Sequence, residues 1–129
     1  MSDRQAELKE LTAAFIDAFN RQDIDGVVGF FSDDAVYDDS KGDTHVGPDA
    51  IRIAFTPLVC GDRGRITFDE EDYFSEVGTD KVMASWTLSM DVSGERKKMR
   101  GMDILRFRGD KLVQKSAYCK SPAPRLDDA

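Results

Sequence analysis

The chain has 129 residues, which suits one domain and leaves no room for a second. Its 25 acidic residues outnumber 18 basic ones, giving a formal charge of −7, so the electrostatic attraction to phosphate that dominates nucleic-acid binding is missing. No apolar run approaches the roughly 20 residues that span a bilayer, and residues 1–7 lack the apolar core of a secretory leader, so a cytoplasmic protein without membrane contact is expected.

Over residues 2–19, Leu8, Leu11, Ala14, Phe15, Ala18 and Phe19 recur at spacings of three and four, which predicts an amphipathic helix. Residues 20–22 make a corner, and Asp23 can cap a second helix carrying Ile24, Val27, Val28, Phe30 and Phe31. Gly26 and Gly29 lower its intrinsic propensity, so packing against the first helix must hold it. Ala35, Val36 and Tyr37 read as a brief strand and residues 40–43 as a turn. Pro48 opens a third helix with Ala50, Ile51, Ala54 and Phe55 as its buried stripe, and Pro57 limits its length.

Four strands follow, at about 65–75, 81–91, 97–108 and 111–119, separated by turns at Gly78, Gly94 and Gly109 with Asp110. In the second, Val82, Ala84, Trp86, Leu88 and Met90 alternate with polar residues, giving the sheet one inner and one more polar face. Helices first and antiparallel strands later mean an α+β domain, here over residues 1–120. Residues 121–129 hold too little apolar content to join the core and read as a mobile tail.

On the strand at 97–108, period two puts Gly101, Asp103, Leu105 and Phe107 on one face, so Asp103 points inward among large apolar side chains. A carboxylate there must find donors or a cation, or take up a proton. It is either a ligand-facing group or a structural one bonded to a neighbouring strand or helix end. His45 is the one histidine, the residue type most used for proton transfer near neutral pH. With no second histidine and no Cys-x-x-Cys pair, no zinc site can be assembled.

Cys60 and Cys119 read as reduced, buried thiols. Asp33 and Asp34 read as turn or capping residues, and Arg96, Lys97, Lys98 and Arg100 as a solvated basic run.

The segments Phe31-Ser32-Asp33-Asp34-Ala35-Val36-Tyr37-Asp38-Asp39, His45-Val46-Gly47-Pro48-Asp49-Ala50-Ile51 and Gly101-Met102-Asp103-Ile104-Leu105-Arg106-Phe107 together resemble the nuclear transport factor 2-like superfamily. The likeness is strongest to its SnoaL-like polyketide cyclase and ketosteroid isomerase branches. It implies a cystatin-like cone of three N-terminal helices on a strongly curved, mostly antiparallel sheet, and a homodimer through the sheet's outer face. The isomerases' catalytic base falls on Asp39 and their neutral oxyanion-binding acid on Asp103. A register shift of one residue would turn Asp38 or Tyr37 inward in place of Asp39.

The resemblance also has departures. The isomerases' oxyanion-hole tyrosine corresponds to Phe15, and its supporting tyrosines to Phe31 and Thr56. Losing such a donor costs roughly a hundredfold to a thousandfold in rate, so steroid isomerisation itself is not expected. What remains is acid–base chemistry without metal or cofactor on a small apolar, oxygen-bearing molecule. Asp39 and Asp103 would act, His45 would assist, and Phe15, Phe31, Tyr37, Phe55, Trp86 and Leu105 would contact the substrate. The alternative is a dimeric, non-catalytic domain that holds a hydrophobic ligand while Asp103 is structural.

Overall fold

The computed structural model describes residues 3–61, 64–122 and 126–129. Helices α1 (Asp3–Asn20) and α2 (Ile24–Gly29) lead into strands β1 (Phe31–Asp38) and β2 (Thr44–Val46), then helix α3 (Pro48–Val59). Strands β3 (Thr67–Glu76), β4 (Lys81–Val92), β5 (Glu95–Arg108) and β6 (Lys111–Cys119) follow. All six strands form one sheet in the order β2-β1-β6-β5-β4-β3, antiparallel except where β1 meets β6. The class is α+β, as the order of elements predicts.

The α1 stripe buries Leu8, Phe15, Ala18 and Phe19, with Thr12 inside where Ala14 was expected. The Thr12 hydroxyl donates to the Leu8 carbonyl at 2.8 Å, so no polar atom is stranded by that exchange. Asp23 caps α2 by accepting from the Gly26 N–H at 2.9 Å. A Cβ at Gly26 would stand 2.3 Å from that carboxylate, which explains a glycine inside so short a helix.

Phe30 closes α2 and Phe31 already begins β1, so this strand is eight residues long rather than three. Its alternation is masked in the sequence because Asp33 and Asp34 are both exposed where the pairing with β6 shifts register. Both aspartates therefore lie on a strand and not in a turn or cap. Pro57 lies inside α3 and near its end, with two helical residues after it.

An aromatic cluster lies within the core. Phe15 meets Phe19, Phe30 and Phe31 edge-on at 5.1, 5.4 and 5.7 Å, and Phe19 meets Phe55 and Phe68 at 5.1 and 5.3 Å. Each such pair contributes about 0.5–1.5 kcal/mol beyond its buried area. Together they tie all three helices to the sheet.

Extra residues bend the sheet. On β3, Glu70 pairs with Trp86 but Tyr73 with Ala84, so Glu71 and Asp72 share the space opposite Ser85. On β6, Gln114 pairs with Arg106 but Leu112 with Phe107, which leaves Val113 as the additional residue. Bulges of this kind bend a strand and increase its twist, so the sheet curls round the helices.

Cys60 is exposed just beyond α3, not buried, while Cys119 is half-buried. The basic run lies exposed on β5, where Arg96 pairs with Asp91, Lys97 with Glu95 and Arg100 with Glu71. Among the described residues no helix is long and apolar enough to cross a membrane. Of the expected tail, residues 123–125 lie outside the described residues, as does the expected helix start at residue 2; residues 126–129 form no regular element.

Candidate active site

Period two along β5 carries Asp103, Leu105 and Phe107 to the inner face, and Asp103 is 7% exposed. It meets a cation there. Lys115 Nζ donates to Asp103 Oδ1 at 3.0 Å, and Lys115 is itself 5% exposed. Strict alternation from buried Leu112 would turn Lys115 outward. The extra residue Val113 reverses the parity, so Lys115 falls opposite Leu105 and faces the interior.

The Lys115 ammonium lies 4.8 Å from the Tyr37 ring centroid and 5.5 Å from that of Phe55. These electron-rich faces add to the attraction of Asp103. Such support matters, because burying two charges costs several kcal/mol per ion that their mutual attraction must offset.

Asp103 and Lys115 open onto a cavity of about 100 Å³. Six aromatic side chains line it, Phe15, Phe19, Tyr37, Phe55, Phe68 and Trp86, among aliphatic ones. Ser40 and Met99, which also line it, are exposed and mark its opening. The cavity is smaller than the dry apolar one of about 150 Å³ that holds benzene, so a ring would have to extend into the opening that Ser40 and Met99 mark. The Trp86 Nε1–H is buried without an acceptor among the described residues.

Asp39 and His45 are brought together outside this cavity. His45 Nε2 lies 3.0 Å from Asp39 Oδ2, and the other Asp39 oxygen accepts from the backbone N–H groups of Lys41 and Asp43, each at 2.9 Å. Partial burial pushes the Asp39 carboxyl up, but the bonds from His45, Asp43 and Lys41 together outweigh this and leave it below its ordinary value. The His45 ring stacks on Tyr37 at 5.4 Å, and Tyr37 stacks on Phe55 at 4.5 Å. Tyr37 thus stands between the His45–Asp39 pair and the cavity. Burial, then the charges of Asp103 and Asp39, raise the Tyr37 hydroxyl far above its usual range, which keeps it protonated.

Of the residues expected to touch a substrate, Phe15, Tyr37, Phe55 and Trp86 line the cavity, together with Asp103. Phe31 and Leu105 are buried in the core and do not line it; Phe31 packs against Phe15 and Phe55. Asp39, expected as the base, does not line this cavity and lies in the hairpin between β1 and β2. Sequence reasoning missed Lys115, Phe19, Phe68 and Cys119. A search for the cation that an interior Asp103 requires would have pointed to a lysine on the neighbouring strand. Among the described residues no three His, Cys, Asp or Glu side chains are placed to hold a metal ion.

The same architecture recurs in solved structures. SalBIII, described as an epoxide hydrolase/cyclase-like enzyme with a role in pyran ring formation in the polyether salinomycin, superposes with a TM-score of 0.79 at 21% identity, over 93% of this chain and 95% of that one. A nuclear transport factor 2-like protein of unknown function from Mesorhizobium loti gives 0.77 at 20% identity, over 94% and 97%. Bal32a, from a soil-derived mobile gene cassette, gives 0.78 at 15% identity, over 91% and 92%. At these identities the likeness shows the fold alone. Among curated proteins no sequence match is found. The sequence profile of the SnoaL-like domain, however, matches residues 12–115, a span that runs from the buried face of α1 to Lys115 itself, and the chain belongs to that family.

Proposed function

We propose that the cavity is the active site of a small-molecule enzyme of isomerase, cyclase or hydrolase type, acting by proton transfer or water activation on an apolar, oxygen-bearing compound. The observation that carries this reading is the Asp103–Lys115 pair set in an aromatic wall. Replacing a buried ion pair by apolar residues is often neutral or stabilising, so stability alone gives little reason to keep two charges there. A carboxylate able to exchange a proton beside an ammonium able to hold a developing oxyanion is what acid–base catalysis needs. No cofactor is required for such steps. Asp39 and His45 would serve by bracing the Tyr37 wall.

The test is turnover of a panel of small cyclic ketones, enols and epoxides by the wild-type protein and by Asp103→Asn. The panel is fitted by binding first, since Trp86 is the only tryptophan and lines the cavity. Positioned acid–base groups contribute roughly a hundredfold to ten-thousandfold. A loss in that range with folding and binding retained supports an enzyme. Binding without turnover by any compound supports the second reading, a ligand-binding domain. That reading is favoured by the absence of a hydroxyl at Phe15 and Phe31.

We also propose a homodimer through the outer face of the sheet. There Phe74, Met83 and Ile104 lie in register across β3, β4 and β5, and Met102 faces Tyr118 across β5 and β6. Phe74 and Tyr118 are 63% and 56% exposed, an apolar surface that a second copy would cover.

A further inference from the structure

The hydrogen-bonding capacity of the Asp103–Lys115 pair is only half used. Among the described residues Asp103 has one hydrogen bond, from Lys115 to Oδ1, which leaves Oδ2 without a donor. Lys115 has three N–H donors, gives one to Asp103, and otherwise meets the faces of Tyr37 and Phe55. Both residues line the same cavity. An acceptor and a donor therefore stand side by side in an apolar wall.

That arrangement discriminates between ligand oxygens. A ketone or ether oxygen can only accept, so it would engage Lys115 and leave Asp103 Oδ2 unmatched. A carboxylate ligand would likewise only accept, and would add an unbalanced negative charge to a pair whose own charges cancel. A hydroxyl both donates and accepts. The surrounding rings favour a flat, conjugated body over a saturated one.

We propose that Lys115 and Asp103 together recognise an ionisable hydroxyl on a flat conjugated ligand, a phenol or an enol, with the carboxylate taking its proton and the ammonium holding its oxygen. In this step the ligand O–H bond breaks and the proton passes to Asp103 Oδ2. The bonding electron pair stays on the ligand oxygen, and the new oxyanion becomes the counter-charge of Lys115. One negative and one positive charge are present before and after, so the site ionises its ligand without changing its net charge. Lys115 supplies a donor that Phe15 and Phe31 cannot. The inference rests on the cavity being a ligand site, as proposed above.

The test compares 4-nitrophenol, 4-nitroanisole and 4-nitrobenzoate, which share one ring and differ in the oxygen group. Binding is read by quenching of Trp86, and ionisation by the visible band of the 4-nitrophenolate ion at a mildly acidic pH. The expected result is at least tenfold tighter binding of 4-nitrophenol than of either companion, with the phenolate band appearing on binding. Single substitutions at this pair can unfold the chain, so the variant is Asp103→Leu with Lys115→Met, which leaves no charge unpaired. It is expected to bind 4-nitrophenol and 4-nitroanisole equally, without the band. Equal binding of these two by the wild-type protein, or a preference for 4-nitrobenzoate, would overturn the hydroxyl reading while the ligand cavity stands. If no probe quenches Trp86 saturably, the cavity reading falls with it.

Discussion

Trp86 and Gly101 face each other across β4 and β5 so closely that a Cβ at position 101 would stand 2.3 Å from the indole Cη2 and 2.5 Å from the Tyr118 carbonyl oxygen. The missing side chain of one residue is the seat of the other. Since Trp86 lines the cavity, the shape of the site depends on a residue that contributes no side chain to it.

Gly101→Ala is therefore expected to displace the indole and to destabilise the fold by about 1–3 kcal/mol, the usual range for forcing extra atoms into a packed interior. Urea denaturation gives the energy, and a change in the near-ultraviolet dichroism of the only tryptophan reports the displacement. A native-like spectrum with unchanged stability would contradict the packing described.

Removing one member of the Asp103–Lys115 pair leaves the other charge buried at 5–7% exposure. Asp103→Leu and Lys115→Met are each expected to cost about 3–5 kcal/mol, whereas the double variant recovers most of the loss. A double-mutant cycle by chemical denaturation measures this coupling. Additive losses would show that the two side chains do not act as a pair.

Asn20 fastens the end of α1 to β3, donating from Nδ2 to the Phe68 carbonyl at 3.0 Å and accepting the Phe68 N–H at 2.7 Å. With each neutral hydrogen bond contributing about 0.5–1.5 kcal/mol, Asn20→Ala is expected to lose about 1–3 kcal/mol. Hydrogen exchange at the Phe68 amide should quicken more than exchange in the middle of β4. Uniform acceleration would place the weakness elsewhere.

Asp39 gives the fold an acid-sensitive hairpin. Its folded carboxyl lies below the ordinary value of 3.8, so its contribution is fully present above that pH. It is lost as pH falls through the depressed folded value. The stability gap between the wild-type protein and Asp39→Asn should be largest above about pH 5 and should shrink toward pH 2. Urea midpoints across that range check it; a gap that widens in acid has the wrong sign.

If the outer face joins two copies, Phe74→Glu with Tyr118→Glu should yield a folded monomer, because a carboxylate in a closely packed apolar interface carries a desolvation penalty without a partner. Sedimentation velocity distinguishes the states. A wild-type protein that is already monomeric at high concentration would remove the proposal.

Most of the fold could be read from residue spacing, because the α1 stripe and the alternation in β4 are long and regular. The boundaries of β4 and β6 followed from the glycine and aspartate turns beside them. In the sequence β1 reads as three residues because adjacent exposed aspartates hide its period. β2 went unrecognised because three residues carry too little pattern. At the site, period two sufficed to turn Asp103 inward but not to find its partner. Lys115 sits beyond a backbone irregularity that leaves no mark in composition, and regular counting sends it to the wrong face. Asp39 is a base by likeness to a family position, whereas its surroundings are decided by the turn at residues 40–43, which occupies one of its oxygens, and by His45, which meets the other.

The additional residue on β6 has a consequence for how such a cavity can change. With Val113 deleted, Leu112, Gln114 and Lys115 would face Phe107, Arg106 and Leu105, the partners they already have, and strict alternation would still turn Lys115 inward. The strand would lose the bend that the extra residue gives it, but the ammonium would stay beside Asp103. The bulge thus lets this strand differ by one residue in length without changing the electrical character of the cavity.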